Sequence, residues 1–200
     1  LKKCLEERRD LGTVYWGDAF NEATSDLADN FQIVAQNNIP QQTAELLKAG
    51  KVCALFTMTM EYGPRALGAR TILINPADNS INDSVNKRLS RTEFMPFAPV
   101  VRNERVDDVF IVTPANRRPM QYMTITCDVK EEWQKKIPAV VHVDGTARPQ
   151  TISREQNPLY YDILLAFEEL TELPCLVNTR FNAHEEPIIN PTHEALQALQ

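Results

Sequence analysis

Apolar residues recur every three or four positions between 157 and 170, at Leu159, Ile163, Ala166, Phe167 and Leu170, with Glu168 and Glu169 on the other side. That period predicts a helix with one packed face. A shorter helix is expected over 40–49, where Leu46 and Leu47 sit among polar residues and Gly50 is placed to end it. Residues 52–59 and 69–74 read as strands, the second closed by Asn75-Pro76. Ile81, Val85 and Leu89 lie four apart and predict a helix over 79–89 with Lys87 and Arg88 near its end. Further strands are expected at 97–101, at 139–143 and at 175–177, and at 121–129, where Met123, Ile125 and Cys127 alternate with Thr124, Thr126 and Asp128. A short helix over 103–110, a loop over 113–119 and a last helix over 192–200 complete the pattern. Residues 1–40 have no clean period and read as a connecting segment, which leaves 41–200 as one domain. Strands alternating with helices place that domain in the α/β class with a mixed (α+β) character.

Composition narrows this picture. Two hundred residues, 43% of them hydrophobic, suffice for one ordinary core. No apolar run approaches the roughly 18 residues of a membrane span, and the opening LKKCLEERRD has no apolar signal segment. A cytoplasmic protein is expected. Leu1 and the abrupt end at Gln200 lead to the expectation of a piece of a longer chain. Cys4, Cys53, Cys127 and Cys175 lie far apart, and His142, His184 and His193 form no H-x-x-x-H pair, so no metal is expected in this domain. A formal net charge of −6 argues against DNA or another nucleic acid as the main partner.

Within that acidic background the positive charge is concentrated: from Glu61 to Arg105 there are seven Lys and Arg against five Asp and Glu. Gly63, Pro64 and Gly68 flank Arg65-Ala66-Leu67, so a tight turn is expected to bring backbone N–H groups, Arg65 and Arg70 up to an anion. Asn82, Asn86, Lys87, Arg88 and Arg91 follow. A second turn, Asp144-Gly145, leads to Arg148 and Gln150, and a third run, Asn178-Thr179-Arg180-Phe181-Asn182, ends the last strand. The glycine spacing is that of a phosphate loop, but Ala69-Arg70 stands where Lys-Ser or Lys-Thr would be required, and no nucleophile elbow exists. Such a set suits electrostatic handling of phosphate. Structural ion pairs with Glu61, Asp78, Asp83 and Glu93 would account for any single arginine equally well, and Lys87-Arg88 would serve as the solvated side of a helix. Spacing alone leaves the choice open.

The spelling of the motifs goes further. EYGPRALGAR at 61–70, the Ile81-Asn82 and Val85 to Arg88 run, Pro96-Phe97-Ala98-Pro99 and Asp144-Gly145-Thr146-Ala147-Arg148-Pro149-Gln150-Thr151 closely resemble the C-terminal domain of the carbamoyltransferase family that includes NodU-type nodulation proteins and antibiotic O-carbamoyltransferases. The likeness covers roughly 41–200. It implies a YrdC-like twisted mixed sheet flanked by helices, which uses carbamoyl phosphate and ATP to make carbamoyl-adenylate. It further implies a partner N-terminal domain of the same enzyme, with an actin-like ATPase fold, that binds iron and transfers the carbamoyl group to a hydroxyl. By this resemblance Arg65, Lys87 and Arg148 are the expected catalytic residues. Arg65, Arg70, Lys87, Arg88, Arg148, Gln150, Asn178, Thr179 and Asn182 are expected to bind ATP or carbamoyl phosphate, with Mg accompanying ATP left open, as is a homodimer. Two departures stand out: Met95 replaces a common arginine, and Arg180 replaces the serine of N-T-S-F-N, either adding a phosphate contact or obstructing the pocket. Two other classes remain, a non-catalytic nucleotide-binding or docking module and a YrdC-like threonylcarbamoyl-adenylate synthase of tRNA modification. The motif spelling and the lack of a strongly basic surface weigh against the second.

Overall fold

The computed structural model describes residues 12–17, 31, 37–57, 59–78, 97–182 and 186–199. In chain order these form α1 (Ile39–Lys48), β1 (Cys53–Phe56), β2 (Arg70–Ile74), β3 (Ala98–Arg102), a 3-10 turn at Asn103–Arg105, α2 (Val106–Val109), α3 (Pro114–Met120), β4 (Cys127–Asp128), α4 (Glu131–Gln134), a 3-10 turn at Pro138–Val140, β5 (Thr146–Ala147), β6 (Gln150–Ile152), α5 (Pro158–Thr171), β7 (Cys175–Arg180) and α6 (Thr192–Ala198). Five strands make one sheet in the order β1-β2-β7-β3-β6. Only β3 and β6 run parallel; the other pairs are antiparallel, so the sheet is mixed and helices flank it, as expected.

Alternation along the strands sorts the core into two layers. Leu55, Leu73, Val100, Ile152 and Leu176 face α1 and α5, which bury Leu47, Tyr160, Ile163, Leu164 and Phe167 against them. Ile72, Ile74, Val101, Cys175 and Val177 face the other way, towards Val106, Val109, Phe110, Met120, Ile137 and Val140. Each fully buried side chain of this size contributes about 1.5–3 kcal/mol. The helix α5 starts at Asn157, whose side chain accepts a hydrogen bond from the Tyr160 amide, with Pro158 pre-set for the first turn.

Several expectations change. The region 121–129 is not one strand: after α3 the amides of Tyr122 and Thr124 bond back to the Pro119 carbonyl and Met123 takes a φ of 53°, so pairing is confined to its end, where Cys127–Asp128 pair with β5 and Val129 bridges Phe110. The expected loop at 113–119 is largely α3, entered through Pro114. The apolar run at 139–143 opens with the 3-10 turn Pro138–Val140 rather than forming a strand: Ala139 and Val140 fill the core from that turn, while Val143 is exposed. Strands β5 and β6, of two and three residues, are too short to carry a period. The expected helix over 79–89 lies outside the described residues.

Candidate anion-binding site

One end of the sheet gathers the sequence motifs. The C-terminal end of β7 lies beside the N-terminal end of β2, with Arg180 opposite Thr71, and beside the N-terminal end of β3, with Asn178 opposite Ala98. β6 runs parallel to β3 and starts at the same end, with Gln150 opposite Val100. The turn at 61–69 before β2, the Arg148 segment before β6 and the Asn178 to Asn182 run therefore meet, although far apart in sequence.

The second half of the 61–69 turn satisfies its backbone internally. Glu61, 2% exposed, accepts hydrogen bonds through Oε1 from the amides of Leu67 (2.6 Å), Ala69 (3.3 Å) and Arg70 (3.3 Å), and the Gly68 amide donates to Thr71 Oγ1. The amides of Leu67, Ala69 and Arg70 are thus turned inward onto a carboxylate, and that of Gly68 onto a hydroxyl. The carbonyls are held as firmly, each from a different element. Asn178 Nδ2 donates to Ala66 O (2.9 Å), Gln150 Nε2 and Tyr15 Oη donate to Leu67 O (2.8 and 2.9 Å), and Asn157 Nδ2 donates to Gly68 O (3.3 Å). Gly68 has a φ of 117°, and a Cβ there would meet the Tyr160 ring at 2.4 Å. A side chain would push the turn off α5.

What this frame exposes is a group of arginines. Asn178 also donates to Gln150 Oε1 (2.6 Å), joining β7, β6 and the turn in one buried polar set. Arg65 precedes Ala66, Arg148 lies two residues before Gln150, and Arg180 two residues after Asn178 on the same side of β7. The guanidinium of half-buried Arg148 has its pKa lowered by burial and then by the charges of Arg65 and Arg180. None of the three has an acidic partner among the described residues, whereas Arg102, Arg105, Arg117 and Arg154 are each paired with a carboxylate. Like charges so arranged repel, and an anion among them turns that cost into attraction.

The remaining expected residues separate by position. Arg70 is fully buried: its guanidinium donates to the carbonyls of Thr57 (2.7 Å) and Ala69 (3.0 Å), lies 3.7 Å from the centre of the Phe56 ring, and has its pKa lowered by burial. It braces the turn from inside. Gln150 and Asn178 are 1% exposed and act through the turn they hold. Thr179 alternates to the opposite face, beside Ile72, away from Asn178 and Arg180. Asn182 is buried and donates to Glu186 O (2.6 Å). Lys87 and Arg88 lie outside the described residues. Missed by the sequence reading were the inward role of Glu61 and the docking of Tyr15, which forms an antiparallel bridge to Glu61 from within the expected connecting segment. Among the described residues no group of three or more His, Cys, Asp or Glu is placed to hold a metal, and no helix is long and apolar enough to cross a membrane.

The family model described as Carbamoyltransferase C-terminus matches residues 44–200. Nodulation protein NolO of Bradyrhizobium diazoefficiens is 36% identical over 196 residues, covering 94% of this chain and 36% of that protein. Nodulation protein U of Sinorhizobium fredii is 38% identical over 143 residues, 72% of this chain and 25% of that one. The chain spans about a third or less of the length of these relatives. Full-length HypF, solved in a phosphate- and nucleotide-bound form, shares the fold with a TM-score of 0.61 and 21% identity over 84% of this chain and 20% of HypF.

Proposed function

Since the chain belongs to the carbamoyltransferase C-terminus family, we propose that it binds ATP and carbamoyl phosphate at the arginine-lined end of the sheet and forms carbamoyl-adenylate there. The observation that carries this is the convergence of Arg65 and Arg148 on two separate turns without an acidic partner among the described residues. Two forked guanidiniums match the oxygens of phosphate groups in charge and geometry. Carbamate, released when carbamoyl phosphate loses its phosphoryl group to water, bonds through an oxygen to the α-phosphorus of ATP while the bond to the β-phosphate oxygen breaks and pyrophosphate leaves. Arg65 and Arg148 neutralise the charge that builds on the departing phosphates. Lys87 and Arg88 join them in this reading by their sequence position ahead of β3. Gln150, Asn178 and Arg70 are positioning residues that fix the turn, and Mg accompanies the nucleotide. The carbamoyl group then passes to a hydroxyl held by an N-terminal domain, in the cytoplasm.

Titration calorimetry with ATP and with carbamoyl phosphate, followed by a pyrophosphate-release assay, tests this. Both ligands bind, and pyrophosphate appears only when both are present. Binding without release supports a non-catalytic nucleotide module instead, release that requires bicarbonate and threonine supports a threonylcarbamoyl-adenylate synthase, and absence of binding rejects an anion site altogether.

A further inference from the structure

Arg180 is exposed at the last position of β7, where the resembling motif has serine. Its backbone is fixed: Thr71 lies opposite, and the next amide, that of Phe181, donates to Arg70 O (3.1 Å). Its side chain leaves β7 on the face of Asn178, the residue that holds Ala66 beside Arg65 and that bonds Gln150 downstream of Arg148. The same buried polar set that positions Arg65 and Arg148 thus delivers a third guanidinium to the same patch.

Building on the anion-site reading above, we propose that Arg180 is a specificity residue that biases this site towards polyphosphate over single phosphate groups. Two arginines balance the charge of a phosphate dianion, and a third leaves an excess that only a more highly charged ligand, such as pyrophosphate or the chain of a nucleoside triphosphate, satisfies. A polyphosphate is also long enough to meet donors arriving from three elements. The lowering of the Arg148 pKa, after burial, by the charges of Arg65 and Arg180 agrees with this placement. Among the described residues no carboxylate offsets the repulsion within the cluster, so on this proposal Arg180 costs stability before the anion arrives and returns it afterwards.

The test compares wild type, Arg180→Ser and Arg180→Lys in titrations with inorganic pyrophosphate and inorganic phosphate, alongside melting curves without ligand. Arg180→Ser should weaken pyrophosphate about tenfold to hundredfold, change phosphate by less than about threefold, and leave the ligand-free melting temperature equal or higher; Arg180→Lys should fall between. Equal losses for both anions, or tighter binding in Arg180→Ser as expected of an obstructing side chain, overturn the proposal. Unchanged pyrophosphate binding in Arg180→Ser, with binding reduced in Arg65→Lys and Arg148→Lys, overturns it while the anion site stands. A wild type that binds neither anion rejects both.

Discussion

Gly68 has no room for a side chain, because a Cβ would lie 2.4 Å from the Tyr160 ring at a backbone φ of 117°. Gly68→Ala should destabilise the chain by at least about 1–3 kcal/mol through overpacking alone, measured by urea unfolding; an unchanged midpoint would mean the turn does not seat on α5. Glu61→Ala should cost at least about 1–3 kcal/mol, since it strips the acceptor from the buried Leu67 amide. Burial also sets a pH limit. It raises the Cys53 thiol from 9.0 to about 11, and raises the Tyr15 phenol from 10.0 to about 12 against a lowering hydrogen bond with Asn157. The unfolded chain therefore releases these protons first, so stability is full below pH 9 and falls as pH rises towards 11 and beyond. Cys53→Ala should flatten the first part of that fall, and a urea midpoint rising over this range would contradict the assignment. In sequence the glycines were legible as a turn. That the amides of Leu67, Ala69 and Arg70 would be spent on Glu61 was not, since nothing local distinguishes a carboxylate folded inward from one in solvent.

Long elements were legible because period and burial coincide: the stripe of α5 at Ile163, Ala166 and Phe167 is the face packed on the sheet. Short ones were not. β6 has three residues and is defined by its parallel pairing with β3, a contact no local pattern contains. The alternation inside β7 was readable once the strand was known to reach Arg180, and it separates Thr179 from Asn178 and Arg180. Another tie between elements also escaped the sequence. Arg102 on β3 and Arg105 after it both bond Glu168 on α5, with Tyr161 and Glu104 completing the group. Burial disfavours the charge on Arg102, yet its hydrogen bonds to Glu168 and Tyr161 and the charges of Glu168 and Glu104 prevail and its pKa is raised. Glu168→Gln should therefore cost about 1.5–3 kcal/mol in a denaturant melt, with the loss reduced in an Arg102→Met background to the share that the Arg105 pair retains. An equal loss in both backgrounds would show that the pairing adds nothing.

At the scale of the molecule, antiparallel and parallel pairings bring the starts of β2, β3 and β6 and the end of β7 to one edge, and the motif arginines arrive with them. The resemblance named the motifs; only the topology shows why segments so distant in sequence share a place. The relatives NolO and nodulation protein U are matched over only 36% and 25% of their length, and on the proposed division of labour the 200 residues alone should not carbamoylate a hydroxyl acceptor; robust product in a radiolabelled carbamoyl-transfer assay would refute that division. The central claim is that Arg65 and Arg148 serve one anion. It is tested most directly by a double-mutant cycle, Arg65→Lys with Arg148→Lys, scored on ATP-dependent pyrophosphate release in the presence of carbamoyl phosphate, with melting temperatures measured in parallel. A shared pocket predicts losses that are coupled by more than about 0.5 kcal/mol while the melting temperatures stay close to wild type. Losses that simply add, or variants that melt early with normal turnover, would contradict it.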